Sequence, residues 1–323
     1  MAVNRSGEVA EVMAAEPKKR NFWLDMLVRM LKEKPLGTIG LVIVAILLIC
    51  GIFANWLAPY PLGKIDLLHT LSGPVPGHIL GTDNLGRDEL SNIIYGARIS
   101  LIIGLSATAL LTVVSVIIGS LSALIGGKFD IVIQRIVDAF MCIPGLLILL
   151  IMMSILGRGM WQMIIAISIP GGIGGSRMIR GAVLGIKENV YVDAERAIGC
   201  NMSTLLIRHI LPNIMPVIII GFSVMIGGTI LMEAGLSFLG FGVPPGVPSW
   251  GSMLSQEGRQ YMEIAPALSI WPGLALSVVV WGLNMFGDAI RDLLDPRLKG
   301  GLGRYGGSRQ KKKAMKAVLA RQR

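Results

Sequence analysis

Six long apolar stretches constrain this chain more than any other feature: Gly37 to Trp56, Ser100 to Ile125, Ile131 to Leu156, Trp161 to Ile179, Ile214 to Met232 and Leu268 to Phe286. Each approaches the ~20 mostly apolar residues that one α-helix needs to cross a bilayer. A chain of 323 residues that is 53% hydrophobic, with mean hydropathy +0.67, lies outside the range of soluble globular domains. The runs are continuous rather than alternating, which excludes a β-barrel, and in lipid only helices or closed barrels satisfy every backbone group. The sequence therefore predicts an all-α integral membrane protein with six transmembrane helices. Residues 1 to 36 precede the first run and no small-x-small cleavage site follows it, so it reads as a retained anchor rather than a signal peptide.

Charge sets the orientation. With the N-terminus inside, all of the 30 lysines and arginines fall on the cytoplasmic side except Lys64, Arg87, Arg98, Arg158 and Arg259, as the positive-inside tendency requires. The net charge of +10 is thus a topology signal, with a weaker pull toward anionic lipid, and no nucleic-acid partner is needed to explain it. Cys50, Cys142 and Cys200 fall in spans or on the cytoplasmic side with no CxxC spacing, so they are expected to be structural thiols without disulfides.

Local patterns divide the chain further. Residues 1–36 form a cytoplasmic segment in which Phe22, Met26, Leu27, Met30 and Leu31 recur at helical spacing, the pattern of a helix lying on the membrane surface. Residues 37–95 hold the first span and an external loop. There Asp83 or Asn84 suits a capped turn, and Asp88 and Glu89 suit the start of the helix that leads into the second span. Residues 96–292 form the core. Within it, Glu233 to Pro266 includes GFGVPPGVPSWGSML, whose prolines and glycines forbid a continuous helix and predict a cap over the outer mouth. From Leu293 onward the chain is Gly-rich and then basic, with Lys311, Lys312 and Lys313 in a row, and reads as a solvated inner tail. A GxGxxG at Gly301, Gly303 and Gly306 has no strand before it and carries no weight, and no phosphate-loop motif occurs anywhere. If ATP powers this protein, another chain binds it.

One polar stretch interrupts the spans on the cytoplasmic side, within residues 187–213. In YVDAERAIG, Ala194, Ala197 and Ile198 share one face of a short helix, and Gly199 can end it in a left-handed turn. Asn201 then offers an N-cap. Met202, Leu205, Leu206 and Ile210 give a second helix an apolar stripe, with Pro212 expected to break it. Such a stripe either docks on a partner or packs on the subunit's own helices, and periodicity alone leaves both open.

At these residues the chain resembles the inner-membrane permeases of ABC importers, with their cytoplasmic Glu-Ala-Ala loop. The pattern stands here as Asp193, Ala194, Glu195, Gly199, His209, Leu211 and Pro212, and the resemblance implies an ATPase-coupling loop that uses Asp193, Ala194, Glu195, Ala197, Gly199, Leu205, Leu206, Leu211 and Pro212. It departs from the family at three places: Asp for Glu at 193, Glu for the second Ala at 195, and His209 where Ile is usual. LGTDNLGRDELSNIIYGARISL at 80–101, EAGLSFLGFGVPPGVPSWGSML at 233–254 and GDAIRDLLDPRLKG at 287–300 resemble dipeptide and oligopeptide permeases of the second type. The resemblance implies a type I importer fold with an extra N-terminal span before the core. It also implies a heterodimer with a homologous second permease, two cytoplasmic ATPase subunits that bind ATP and Mg, an external substrate-binding protein, and no cofactor or metal held by this chain. Short peptides are the implied cargo, with nickel chelates or glutathione as alternatives, in the cell (inner) membrane with both termini cytoplasmic.

Candidate pathway residues come from the cost of polar groups and broken backbone at membrane depth. Asp138 follows Arg135 by three residues and is expected to pair with it. Glu233 lies near the outer end of the fifth span, where it caps the span, meets the partner subunit or touches substrate. Pro170, Gly171, Gly172 and Gly175 strip side chains from the fourth span, through either a roomy cavity or close helix packing. An ion-coupled carrier is the competing class and needs mid-span acids, for which only Asp138 comes near. His69, His78 and His209 without a nucleophile or HExxH motif give little basis for an enzyme.

Overall fold

The computed structural model describes residues 22–244 and 246–294. The basic tail from residue 295, with its three lysines and GxGxxG, lies outside the described residues. Helix α1 (Phe22–Glu33) leads into α2 (Pro35–Ile52) and one further turn, α3 (Ala54–Leu57). A loop with a 3-10 turn at Leu67–His69 then reaches α4 (Glu89–Ile125), α5 (Gly127–Cys142), α6 (Gly145–Leu156) and α7 (Met160–Lys187). The polar hairpin begins with α8 (Val190–Ala197), continues into α9 (Met202–Phe238), and a second loop holding α10 (Trp250–Met253) precedes α11 (Ala267–Leu294). Only isolated bridges, Val75 with His78 and Thr82 with Asp88, represent β-structure among the described residues.

Four of these helices, α2, α4, α9 and α11, are long and apolar enough to cross a membrane, and α5 with α6 makes a fifth if the bent pair is one span. The third expected span is therefore corrected: Ile131 to Leu156 is not one helix but two, bent by 92°. Ile143 is extended at φ −87, ψ 130, the region into which a following proline pushes its neighbour, and Pro144 begins the new direction. The fourth expected span is a 28-residue helix, α7, continuous through Pro170. Its backbone is not broken, and its glycines and serines take it out of the strongly apolar set.

Close packing explains several of those small residues, Gly172, Gly175 and Ser168 among them. A Cβ on Gly172 would lie 2.6 Å from Val114 Cβ and 3.0 Å from the Leu111 carbonyl oxygen. Ser115 Oγ donates to the Gly172 carbonyl at 2.9 Å, and Ser168 Oγ to the Ala107 carbonyl at 3.0 Å, so α4 and α7 touch backbone to backbone. Small residues permit this approach where lipid supplies no hydrophobic drive for helix association.

The extra N-terminal span is locked to the core at both ends. Lys34 Nζ bonds Asp292 at 2.5 Å. At the other end Arg98 donates to the Gly51 carbonyl at 2.9 Å, the Ile52 carbonyl at 3.1 Å and Asn55 Oδ1 at 2.9 Å, satisfying carbonyls that the end of α2 leaves open. Met30 of α1 is buried, whereas Leu27 and Leu31 are exposed, as suits a helix lying against both bundle and lipid.

Two loops cover the end opposite the hairpin. Asp83 Oδ1 accepts from the Leu85 and Arg87 amides, both at 2.8 Å, and Asp83 Oδ2 from Arg87 Nε at 2.6 Å. Asp88 caps α4, with Oδ2 accepting from the Ser91 amide at 2.8 Å. In the same loop the His69 imidazole, then the Leu68 amide, hold the Asp66 carboxyl below its usual range. The second loop sends Trp250 into the bundle, 2% exposed among Leu47, Ala97, Ile226 and Ile230, with Nε1 donating to the Ile93 carbonyl at 3.1 Å. Trp250 thereby anchors this segment in the bundle.

Candidate coupling hairpin and central cavity

The hairpin's turn follows from two residues. Gly199 takes φ +84, a conformation that an L side chain resists. It lets the Cys200 amide donate to the Glu195 carbonyl and the Gly199 amide to the Arg196 carbonyl, both at 3.0 Å, the paired bonds that close a helix C-terminus. Asn201 then caps the next helix, its Oδ1 accepting from the Thr204 amide at 2.7 Å.

Pro212 does not break that helix. Leu205–Ile210 winds as a π-helix, and the Leu211 amide donates back to the Leu206 carbonyl. The wider turn absorbs the bond and space that a proline denies to the residue four positions earlier. The hairpin's second arm is consequently continuous with the span α9.

The apolar stripe divides between the two destinations left open above. Leu205 and Ile210 are buried with Val192 against Ala123 and Leu124 of α4 and Ile179 and Val183 of α7. Leu206 and Leu211 pack at the edge of this cluster. Val190, Ile198, Met202 and Ile207 are exposed instead, Val190 at 84% and Ile198 at 80%. Ala194 and Ala197 are exposed beside Ile198, as are Asp193, Gly199 and Pro212. Glu195 Oε1 reaches across the hairpin to His209 Nδ1 at 3.7 Å, and Asn213 Nδ2 donates to the His209 carbonyl at 2.6 Å and to Tyr191 Oη at 3.3 Å.

Charged groups brace the helices beneath. Arg180 donates to both Asp130 oxygens, at 2.7 and 2.5 Å, and Lys187 Nζ donates to the Ala123 and Leu124 carbonyls that end α4. Asp138 bonds Arg135 at 3.3 Å, as expected, and also pairs with Arg177 of α7.

A cavity of ≈ 700 Å³ opens between the α5–α6 elbow, α7 and α9. Pro170 and Gly171 line it, but Gly172, Gly175 and Glu233 do not. Gly172 and Gly175 face α4. Glu233 is fully buried, accepting from Ser100 Oγ at 3.0 Å and Ser237 Oγ at 2.8 Å. Met225, Gly228, Thr229 and Met232 line the far wall. Their spacing of three, four and seven along α9 was the available signal, hidden because every face of that span is apolar.

Comparison with known proteins decides what this arrangement is. Residues 115–300 match the sequence profile of the "Binding-protein-dependent transport system inner membrane component". The chain belongs to this family. Residues 21–74 of the permease match a second profile, "N-terminal TM domain of oligopeptide transport permease C", which is the extra span. It is 36% identical over 282 residues to the oligopeptide transport system permease protein OppC of Bacillus subtilis, covering 87% of this chain and 92% of that one. It is 37% identical over 281 residues to the glutathione transport system permease protein GsiD of Pectobacterium atrosepticum, covering 87% and 93%. Among solved structures it is similar to one of inward facing conformations of the MetNI methionine ABC transporter, with TM-score 0.52 and 18% identity over 63% of this chain and 96% of that one. The permease therefore has the type I importer fold and is a multi-pass membrane transport subunit.

Proposed function

We propose that this permease forms half of a translocation pore for short peptides, paired with a homologous second permease and driven by two cytoplasmic ATPase subunits. An external binding protein delivers the cargo, and the hairpin end faces the cytoplasm of a cell whose inner membrane holds the complex. The relatives named for oligopeptide and glutathione transport support a peptide cargo, and the distribution of lysine and arginine supports the orientation. ATP and Mg belong to the ATPases in this reading.

One observation carries the coupling role: outside the spans, the hairpin buries one apolar edge in its own bundle and exposes another, Val190, Ile198, Met202 and Ile207. An exposed apolar patch of this kind on a polar segment marks a protein contact. The buried edge joins it rigidly to α4 and α7, so a push on the exposed edge moves the helices that flank the cavity. The cavity's open side suits closure by the second permease.

The test is disulfide or bifunctional cross-linking from Ile198→Cys and Ile207→Cys, with Cys50, Cys142 and Cys200 replaced by serine, in membranes of the expressing cell. Capture of an ATP-hydrolysing subunit, lost when the neighbouring exposed residues Val190 and Met202 become aspartate with the cysteines kept in place, is the expected result. Recovery of the cross-linked chain with no ATPase attached would sink the coupling role. Peptide-stimulated ATP hydrolysis by the purified complex separately tests the cargo.

A further inference from the structure

Two of the chain's three histidines meet in the loop at the end opposite the hairpin. The His69 and His78 ring centroids are 6.0 Å apart, and Asp66 stands between them. Its Oδ2 is 2.9 Å from His69 Nδ1 and 3.6 Å from His78 Nε2, while its Oδ1 accepts from the Leu68 amide at 3.1 Å. The far nitrogen of His78, Nδ1, lies 3.0 Å from Oδ1 of Asp88, a carboxylate only 2% exposed. The other Asp88 oxygen is occupied by the Ser91 amide at 2.8 Å and Ser91 Oγ at 2.7 Å.

These contacts fix a tautomer. An ionised carboxylate only accepts, so the Asp88 contact places the His78 proton on Nδ1. His78 Nε2 is then a bare lone pair aimed at a second carboxylate oxygen. This lone pair and Asp66 Oδ2, which His69 Nδ1 also approaches, leave a 3.6 Å gap that a metal ion can fill.

The spacing suits a metal. Tetrahedral zinc with nitrogen and oxygen ligands at about 2.0–2.2 Å places those ligands roughly 3.3 Å apart. The observed 2.9 and 3.6 Å bracket that value, and all three ligand atoms lie within 4.8 Å of one another. A carboxylate bonded to the far nitrogen of a histidine is the outer support that metal-ligating imidazoles almost always have. Backbone bonds between Val75 and His78 and the Tyr60 ring 5.0 Å from His78 hold the imidazole in place. Asp66 and His69 are partly exposed, which gives an ion a way in.

We propose that Asp66, His69 and His78 form a zinc-binding site, with Asp88 as the outer carboxylate and water at the fourth position. A borderline ion such as zinc fits two imidazoles and one carboxylate better than calcium or magnesium, which take oxygen ligands. The ion would clamp residues 66–78 to the capped start of α4. This inference is independent of the cargo and of the ATPase partner.

The test uses the full chain in its complex, purified without a polyhistidine tag, stripped with EDTA and dialysed against zinc chloride. The background carries Cys200→Ser and His209→Gln, because Glu195, Cys200 and His209 form a second group of potential ligands. One zinc retained per chain is expected, with X-ray absorption showing only nitrogen and oxygen neighbours near ~2.0 Å. His69→Gln and Asp66→Asn should each weaken zinc binding at least 100-fold, and Asp88→Asn by about 10- to 100-fold. His69 is 44% exposed on its side chain, so its replacement leaves the fold intact and decides the matter even if His78→Gln fails to assemble. No zinc retained in the background protein overturns the proposal. Zinc retained with unchanged affinity in His69→Gln overturns it equally.

Discussion

Gly172 and Gly174 lie two residues apart on α7, and the same substitution should affect them oppositely. A methyl group on Gly172 would sit 2.6 Å from Val114 Cβ and 3.0 Å from the Leu111 carbonyl oxygen, whereas one on Gly174 meets nothing within 4 Å. Alanine at either site gains the same helix propensity, up to about 1 kcal/mol, so that contribution cancels between the two variants. What remains is overpacking against α4, which typically costs about 1–3 kcal/mol. Relief by backing the helices apart would stretch the Ser115 and Ser168 hydrogen bonds that cross the same interface. Gly172→Ala should therefore be less stable than Gly174→Ala by about 1–3 kcal/mol, read from reversible unfolding of the detergent-solubilised complex or ranked by the temperature at which its monodisperse peak is lost. Transport separates the two positions further. Gly174→Leu projects into the ≈ 700 Å³ cavity and should reduce uptake of the largest substrates in a protein of ordinary stability, while the loss in Gly172→Ala should follow the amount of folded protein. Equal stabilities for the two alanine variants would refute the close contact of α4 with α7.

Arg180→Ala removes two short bonds to Asp130 and should destabilise the protein by about 1.5–3 kcal/mol, the range for hydrogen bonds to charged groups, whereas Arg135→Ala, at a side chain 79% exposed, should cost less than about 1 kcal/mol; matched unfolding curves check the contrast. Trp250→Phe removes the indole donor to the Ile93 carbonyl, which keeps its bond within α4, an expected loss of about 0.5–1.5 kcal/mol for that hydrogen bond measurable as a lowered unfolding midpoint. Leu205→Ala should cost about 2–5 kcal/mol as a buried truncation, while Ile198→Ala leaves stability unchanged and lowers substrate-stimulated ATP hydrolysis.

Features decided within a few residues of one another were legible in the sequence. Asp88 ahead of Glu89, Gly199 ahead of Asn201 and the Asp83 turn are local hydrogen-bond solutions, and each formed as its residues dictate. Features that depend on what lies across the bundle were not. Pro170, Pro216 and Pro272 sit inside continuous helices while Pro144 marks a 92° elbow, and a uniformly apolar sequence does not distinguish the two outcomes. Helical spacing grouped Met202 with Leu205, Leu206 and Ile210, but the position of α4 and α7 decides that Leu205 and Ile210 turn inward and Met202 outward. The glycines of α7 likewise announced missing side chains without saying which were missing for a neighbour and which for a cavity.

The π-wound turn ahead of Pro212 has a mechanical consequence. Because it lets the helix pass the proline, residues 202–238 make one rod of 37 residues, about 55 Å long at 1.5 Å per residue. No loop separates the hairpin's second arm from the membrane-spanning part of this helix. Each 5° of tilt about its hairpin end would swing the far end by roughly 5 Å, enough to drag Glu233 away from Ser100 and shift the loops that cover the opposite end.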